Sequence, residues 1–311
     1  MTTRLSVLVA LAALIASGAS AQPVQRPHIT GVSHIALYSA DIEQSRIFYT
    51  GFLGFDEPYS LNRPDGSLDI AYFKVNDRQW IELFADREPG KDRLHQVAFE
   101  TDDAEALRSY LSTKGIKVPD KVAKGRTGNL NFTVRDPDGH IVEFVQYLPE
   151  SWTGLDRGKH LSSSASSTHL KHVGFAVDSL NRALLFYSGI LGCTETWRGS
   201  SDGKQLSWVN LKVPDGDDYI ELMLYSDPPS LTRLGSMNHL SLEVADITNT
   251  VEALERRPAY AKYRRALTVR TGINRKRQLN LFDPDSTRTE FMEAVTVHGK
   301  VSPSSTAKPP R

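Results

Sequence analysis

Short runs of alternating apolar and polar residues recur along this chain between turn signals, and a period of two marks strands buried on one face. The first cycle is the clearest. Val32 to Ser39 is rich in strand formers, and Asp41 with Gln44 three positions on has the form of a capping box. Phe48 and Phe52, one turn apart, predict a helix from Ile42 to about Leu53 with Gly54 as its C-cap. Three more strands are expected over about Phe55–Ser60, Leu68–Val75 and Gln79–Ala85, the last entered by the turn Asn76-Asp77. The predicted order is βαβββ.

That order returns. Phe48-Tyr49-Thr50-Gly51-Phe52-Leu53-Gly54 lines up with Phe186-Tyr187-Ser188-Gly189-Ile190-Leu191-Gly192 at a constant offset of 138 residues. Asp136-Pro137-Asp138 precedes Glu143 by the step at which Asp283-Pro284-Asp285 precedes Glu290. Asp102 with Glu105 repeats the capping signal, and Pro258 interrupts the helix of the fourth cycle. The chain is read as α+β, four βαβββ modules forming two domains, 28–149 and 169–296. The Ser-rich stretch 150–168 reads as a flexible linker and 297–311 as a disordered tail.

Four strand-like runs carrying a histidine are each followed, about fifty residues later, by one carrying a glutamate among apolar neighbours: His34 with Glu82, His95 with Glu143, His172 with Glu221, and His239 with Glu290. Taken singly, a strand histidine is more often a core or lining residue than a ligand, and a strand glutamate more often faces water. A carboxylate buried in such a strand is costly unless paired or bound to a cation, and the recurrence favours that second account. Two imidazoles and two carboxylates form an N/O shell suited to a divalent ion such as Zn, Ni, Mn or Fe.

The formal net charge of the 311 residues is zero, which argues against nucleic acid as a partner and leaves a small molecule. Arg4, the apolar run Val7–Ala16 and Ala19-Ser20-Ala21 read as an export signal over residues 1–21, with a mature chain starting near Gln22 in the periplasm or outside the cell. No later segment is expected to enter a membrane. The single cysteine, Cys193, allows no intrachain disulfide.

These cycles, with His on the first strand and Glu on the last, together with FYTGFLGF, FYSGILGC and the Asp-Pro-Asp-Gly of residues 136–139, resemble the vicinal oxygen chelate superfamily. The resemblance implies two module pairs, each an open, cup-like sheet with a metal on its concave face. Its members include glyoxalases, extradiol dioxygenases and resistance proteins, so three functions stay open. A lyase or isomerase would use all eight residues, His34, Glu82, His95, Glu143, His172, Glu221, His239 and Glu290, as metal ligands. Carboxylates leaving the metal would act as base, Glu82 and Glu143 in one cup, Glu221 and Glu290 in the other. This is the first expectation. An Fe(II) dioxygenase would use His172, His239 and Glu290, and a binding module would use the cups without chemistry. The sequence departs from two of these patterns: Tyr38 and Ala176 stand where glyoxalases carry an Arg, and no Tyr lies between Arg264 and Glu290, where the dioxygenases carry one.

Overall fold

The computed structural model describes residues 25–310 except 87, 89 and 90; the expected export signal lies outside the described residues. In the first half the strands are β1 (Ile29–Ser39), β2 (Asp56–Asn62), β3 (Leu68–Lys74), β4 (Trp80–Ala85), β5 (Leu94–Thr101), β6 (Ala123–Lys124), β7 (Leu130–Arg135) and β8 (Ile141–Gln146). The second half has β9 (Leu170–Val177), β10 (Thr194–Gly199), β11 (Trp208–Lys212), β12 (Tyr219–Leu224), β13 (His239–Val244), β14 (Val269–Thr271), β15 (Lys276–Phe282) and β16 (Arg288–Thr296). Each half is one eight-stranded sheet, ordered β2-β3-β4-β1-β5-β8-β7-β6 and β10-β11-β12-β9-β13-β16-β15-β14. The first strands of the paired modules lie antiparallel at the centre, and each last strand runs parallel beside its own first strand.

The helices start where the caps predict, with one shift. Asp41 Oδ1 accepts the amides of Glu43 and Gln44 at 3.0 and 3.2 Å ahead of α1 (Ile42–Arg46), which continues as a π-helical stretch, Ile47–Phe52. Gly54 closes it at φ +82°, a left-handed conformation that a Cβ would strain. The cap of α2 (Ala104–Thr113) is Asp103, not Asp102, whose carboxylate meets His28 Nδ1 at 2.7 Å instead. The short linker helix α3 (Trp152–Leu155) comes next, and α4 (Leu180–Leu184) then repeats the plan of α1 with its π-helical stretch Leu185–Ile190. Helix α5 (Leu231–Met237) leads into β13, and α6 (Ile247–Glu255) stops short of Pro258 before α7 (Tyr260–Tyr263).

Alternation sends Ile35, Leu37, Ile81, Val97, Phe99 and Phe144 to one face, and Val173, Phe175, Leu222, Leu240 and Phe291 to its counterpart; all belong to one core that joins the two halves. Polar latches across that junction are matched. Tyr49 donates to Asp283 Oδ2 at 3.1 Å, and Tyr187 to Asp136 Oδ2 at 2.9 Å, so the Asp-Pro-Asp turn of each half receives the helix tyrosine of the other.

Two expectations about the connecting segments are corrected. Residues 150–168 are held in place: Asp156 pairs with the buried Lys74 ammonium at 2.7 Å, Thr153 accepts from Asn129 at 2.8 Å, and Ser166 N donates to Leu53 at 2.9 Å. Composition showed the solubility of the serines but not these partners. The tail is also placed, with Leu206 N donating to Lys308 O at 2.8 Å and Ser305 N to Arg198 O at 2.9 Å beside β10. Among the described residues no helix is long and apolar enough to cross a membrane.

Candidate metal centre and its twin cup

The same alternation that buries the core aims the polar residues at the concave faces. In the first half these are His34 on β1, Glu82 on β4, Gln96 on β5 and Glu143 on β8. In the second they are His172 on β9, Glu221 on β12, His239 on β13 and Glu290 on β16. Register makes the two sets equivalent: Ala36 pairs with Gln96 and Glu82, as Gly174 pairs with His239 and Glu221. Glu143 lies beside Ala98, as Glu290 lies beside Ser241.

His95 does not join the first set, which corrects the expected quartet. Ala36 pairs with Gln96 but Leu37 with Leu94, so His95 is the extra residue of a bulge. Its ring stacks on Phe84 with centroids 4.0 Å apart and meets Tyr38 edge-on at 5.0 Å. The apolar positions Val97 and Phe99 carried the missed signal, since counting back from them by twos puts Gln96, not His95, beside Ala98 on the cup face.

In the first cup one imidazole lies between two acids. His34 Nδ1 is 3.5 Å from Glu82 Oε1 and its Nε2 is 3.0 Å from Glu143 Oε2, while Gln96 Nε2 donates to Glu143 and lies 3.0 Å from His34 Nε2. Burial opposes a charge on His34, but Glu82 and then Glu143 outweigh it and raise the imidazole above its ordinary value. Burial also pushes Glu82 up to about 7. Because the two ring nitrogens face different carboxylates, these groups neutralise one another and do not converge on one point. The surrounding cavity, about 210 Å³, is lined by Tyr59, Tyr72, Trp80 and Tyr147, with Arg126, Asn129 and Asn131 also on its wall.

The second cup converges. His172 Nε2 lies 3.1 Å from His239 Nε2 and 3.4 Å from Glu290 Oε2, and Glu221 Oε2 lies 3.5 Å from His239 Nε2. Among the described residues His172, His239 and Glu290 form a group whose ligand atoms all lie within 4.8 Å of one another. His239 Nδ1 donates to the Met237 carbonyl at 2.7 Å, which fixes the proton there and leaves the Nε2 lone pair facing the cup. Burial, then the Arg288 charge, hold both imidazoles well below their usual pKa, in the neutral form that ligates. Burial, then Glu290, push Glu221 up to about 8. This donor set fits a divalent ion.

Space at the centre of the second cup depends on a glycine. A Cβ at Gly174 would lie 1.9 Å from His239 Cε1, so the imidazole occupies room that Ala36 fills in the first cup. Sequence reading also missed Arg288, two positions before Glu290, whose Nη2 lies 2.8 Å from His239 Nε2. Its counterpart beside Gln96 is Ile141. The second half has the less regular modules, with Pro258 breaking the helix of its last cycle, yet its side chains converge and those of the first cup do not. Tyr219 stacks on His172 at 4.5 Å, whereas Cys193 is buried and its thiol pushed up to about 12, far from a nucleophile's range.

Residues 31–144 match the family model described as the Glyoxalase/Bleomycin resistance protein/Dioxygenase superfamily, and residues 171–265 match a second model of that description. The chain belongs to this superfamily and carries its domain twice in tandem. Over 106 residues it is 28% identical to a lactoylglutathione lyase of Schizosaccharomyces pombe, a match spanning 32% of this chain and only 34% of that enzyme. Over 125 residues it is 29% identical to the uncharacterized protein YaeR of Escherichia coli, covering 37% of this chain and 95% of that one. Solved structures of the same fold include an extradiol ring-cleaving dioxygenase from B. fuscum (TM-score 0.64, 18% identity, 92% of this chain, 77% of that one). A Mn(II)-bound glyoxalase from Novosphingobium aromaticivorans superposes with TM-score 0.62 at 16% identity, over 86% and 83% of the two chains.

Proposed function

We propose that the chain is a divalent-metal-dependent, glyoxalase-like lyase or isomerase that acts on a small oxygenated molecule in its second cup. The observation that carries this reading is the approach of His172 Nε2, His239 Nε2 and Glu290 to one point with Glu221 beside them. A divalent ion held there supplies Lewis-acid polarisation of a substrate oxygen. Glu221 then has a role of its own. Burial and Glu290 raise its carboxyl in the metal-free chain, and a divalent ion beside it would lower it again, leaving a carboxylate that takes a proton from a substrate carbon and returns it to a neighbouring carbon or oxygen. Arg288 points its guanidinium at the same place and binds an anionic substrate oxygen.

The test uses the full chain. Elemental analysis is expected to find one divalent ion per chain, lost in His239→Ala. Glu221→Gln is expected to keep the ion and slow solvent deuterium exchange into α-hydroxy carbonyl compounds by about 10²–10⁴. A wild-type chain without bound divalent metal overturns the reading and leaves a binding module. A second reading, an Fe(II)-dependent extradiol-type dioxygenase, is supported by the two-histidine, one-carboxylate set alone, for which Glu221 is surplus. Oxygen uptake on a vicinal diol by the iron-loaded chain would favour it. The proposed site of action is outside the cytoplasm, and a purified chain starting near Gln22 would support that.

A further inference from the structure

The second cup holds a guanidinium whose hydrogen bonding is incomplete. His239 Nδ1 already donates to the Met237 carbonyl, so at 2.8 Å Arg288 Nη2 donates to the lone pair of His239 Nε2. Arg288 Nε is buried without a partner. Among the described residues the guanidinium forms no ion pair, because the carboxylates of the cup, Glu290 and Glu221, approach the imidazoles instead, at 3.4 and 3.5 Å. An imidazole nitrogen has one lone pair. His239 Nε2 cannot accept from Arg288 and ligate an ion at the same time, so an ion held by His172, His239 and Glu290 releases the guanidinium. Charge points the same way. With both imidazoles neutral and both carboxylates ionised, a divalent ion brings the four ligands to neutrality, and Arg288 then makes the cup positive. Lys276, half-buried on β15, also enters no ion pair among the described residues, and its charge reaches His172. The first cup has Ile141 where Arg288 stands.

We propose, resting on the metal-dependent reading above, that the substrate is a small α-hydroxy carbonyl compound bearing a carboxylate, that Arg288 receives this carboxylate, and that ion and anion each strengthen the other's binding. The ion frees the guanidinium from His239, and its planar fork of N–H groups then holds both oxygens of the carboxylate. In return, a carboxylate on Arg288 keeps it off His239 and leaves Nε2 to the ion, by the same factor.

Hydroxypyruvate and hydroxyacetone share the α-hydroxy carbonyl group, and one carries a carboxylate where the other carries a methyl. Calorimetric titration of the metal-loaded full chain is expected to show hydroxypyruvate binding about tenfold or more tightly than hydroxyacetone. Arg288→Gln is expected to remove most of that preference, and Arg288→Lys, which keeps the charge but not the fork, to restore part of it. Chelator competition is expected to show hydroxypyruvate raising metal affinity about tenfold more in the wild type than in Arg288→Gln. Equal affinity for the two ligands in a wild-type chain that holds its metal overturns this proposal and leaves the metal reading standing. So does a preference that survives Arg288→Gln, which puts the carboxylate on the ion alone. A wild-type chain without metal overturns both, and elemental analysis tells these cases apart.

Discussion

In the first cup the imidazole of His34 stands between two carboxylates, one at each nitrogen; in the second, two imidazoles turn the same nitrogen, Nε2, toward each other. The strands beneath are equivalent, so the backbone does not make the difference. One central pair does. Ala36 with Gln96 leaves a single imidazole that can neutralise acids within the protein, whereas Gly174 with His239 leaves neutral nitrogen donors facing one point. Burying a carboxylate thus has two solutions in one molecule, an internal countercharge and a site for an external one.

Exchanging the central pairs is the strongest way to break this contrast. Gly174→Ala is expected to empty the second cup of metal as fully as His239→Ala, because the added Cβ displaces the imidazole. Ala36→Gly with Gln96→His is expected to add a second equivalent of metal, in the first cup. Elemental analysis of the purified chains reads both.

Smaller, but still on the order of a few kcal/mol, is the pH dependence of stability in the metal-free chain. Burial raises Glu221 from its ordinary 4.5 to about 8, so between those values the folded chain binds a proton that the unfolded chain releases. The stabilisation is present below pH 4.5 and is lost as pH rises toward 8. Glu82, raised to about 7, acts in the same direction over a narrower window. Below pH 6.5 the depressed imidazoles of His172 and His239 act in the opposite sense, so denaturant unfolding from about pH 6.5 to 8 is expected to show the decline, flattened more by Glu221→Gln than by Glu82→Gln.

Arg288→Ile, which copies Ile141 of the first cup, removes a positive charge from beside the metal ligands and is expected to raise metal affinity about tenfold, read by chelator competition. The smallest contrast lies at the junction of the halves. Tyr187→Phe leaves Asp136 Oδ2 with His140 Nδ1 at 2.9 Å and is expected to cost about 1 kcal/mol in thermal or denaturant unfolding. Tyr49→Phe removes the partner of Asp283 Oδ2, a carboxylate 6% exposed, and is expected to cost about 2 kcal/mol.

Much of the site was legible in the sequence. His34, Glu82, Glu143, His172, Glu221, His239 and Glu290 each break an apolar run at a position whose neighbours are core residues, and a strand's period of two then fixes the face. His95 was misread because the alternation set by Val97 and Phe99, which already gives the cup face to Gln96, was not followed back to the strand start; where His95 goes instead, as the extra residue of a bulge, depends on pairing between strands. Arg288 was missed because an arginine near a strand end is ordinary, and only its distance from His239 gives it meaning. The serine-rich linker was misread for a similar reason, since Lys74, Asn129 and Leu53, which hold it, are far away in sequence.

The sequence by itself determined the four βαβββ cycles, their repeat as two halves and the strand face that carries the acidic and imidazole side chains, while their pairing into cup-like sheets came from the family resemblance. Periodicity and capping are local properties, written within a few residues. Only the tertiary structure decided which nitrogens meet. Whether an imidazole faces a carboxylate or a second imidazole depends on a methyl group's room across two strands, as at Ala36 and Gly174, and that space exists only once the sheet has closed around it.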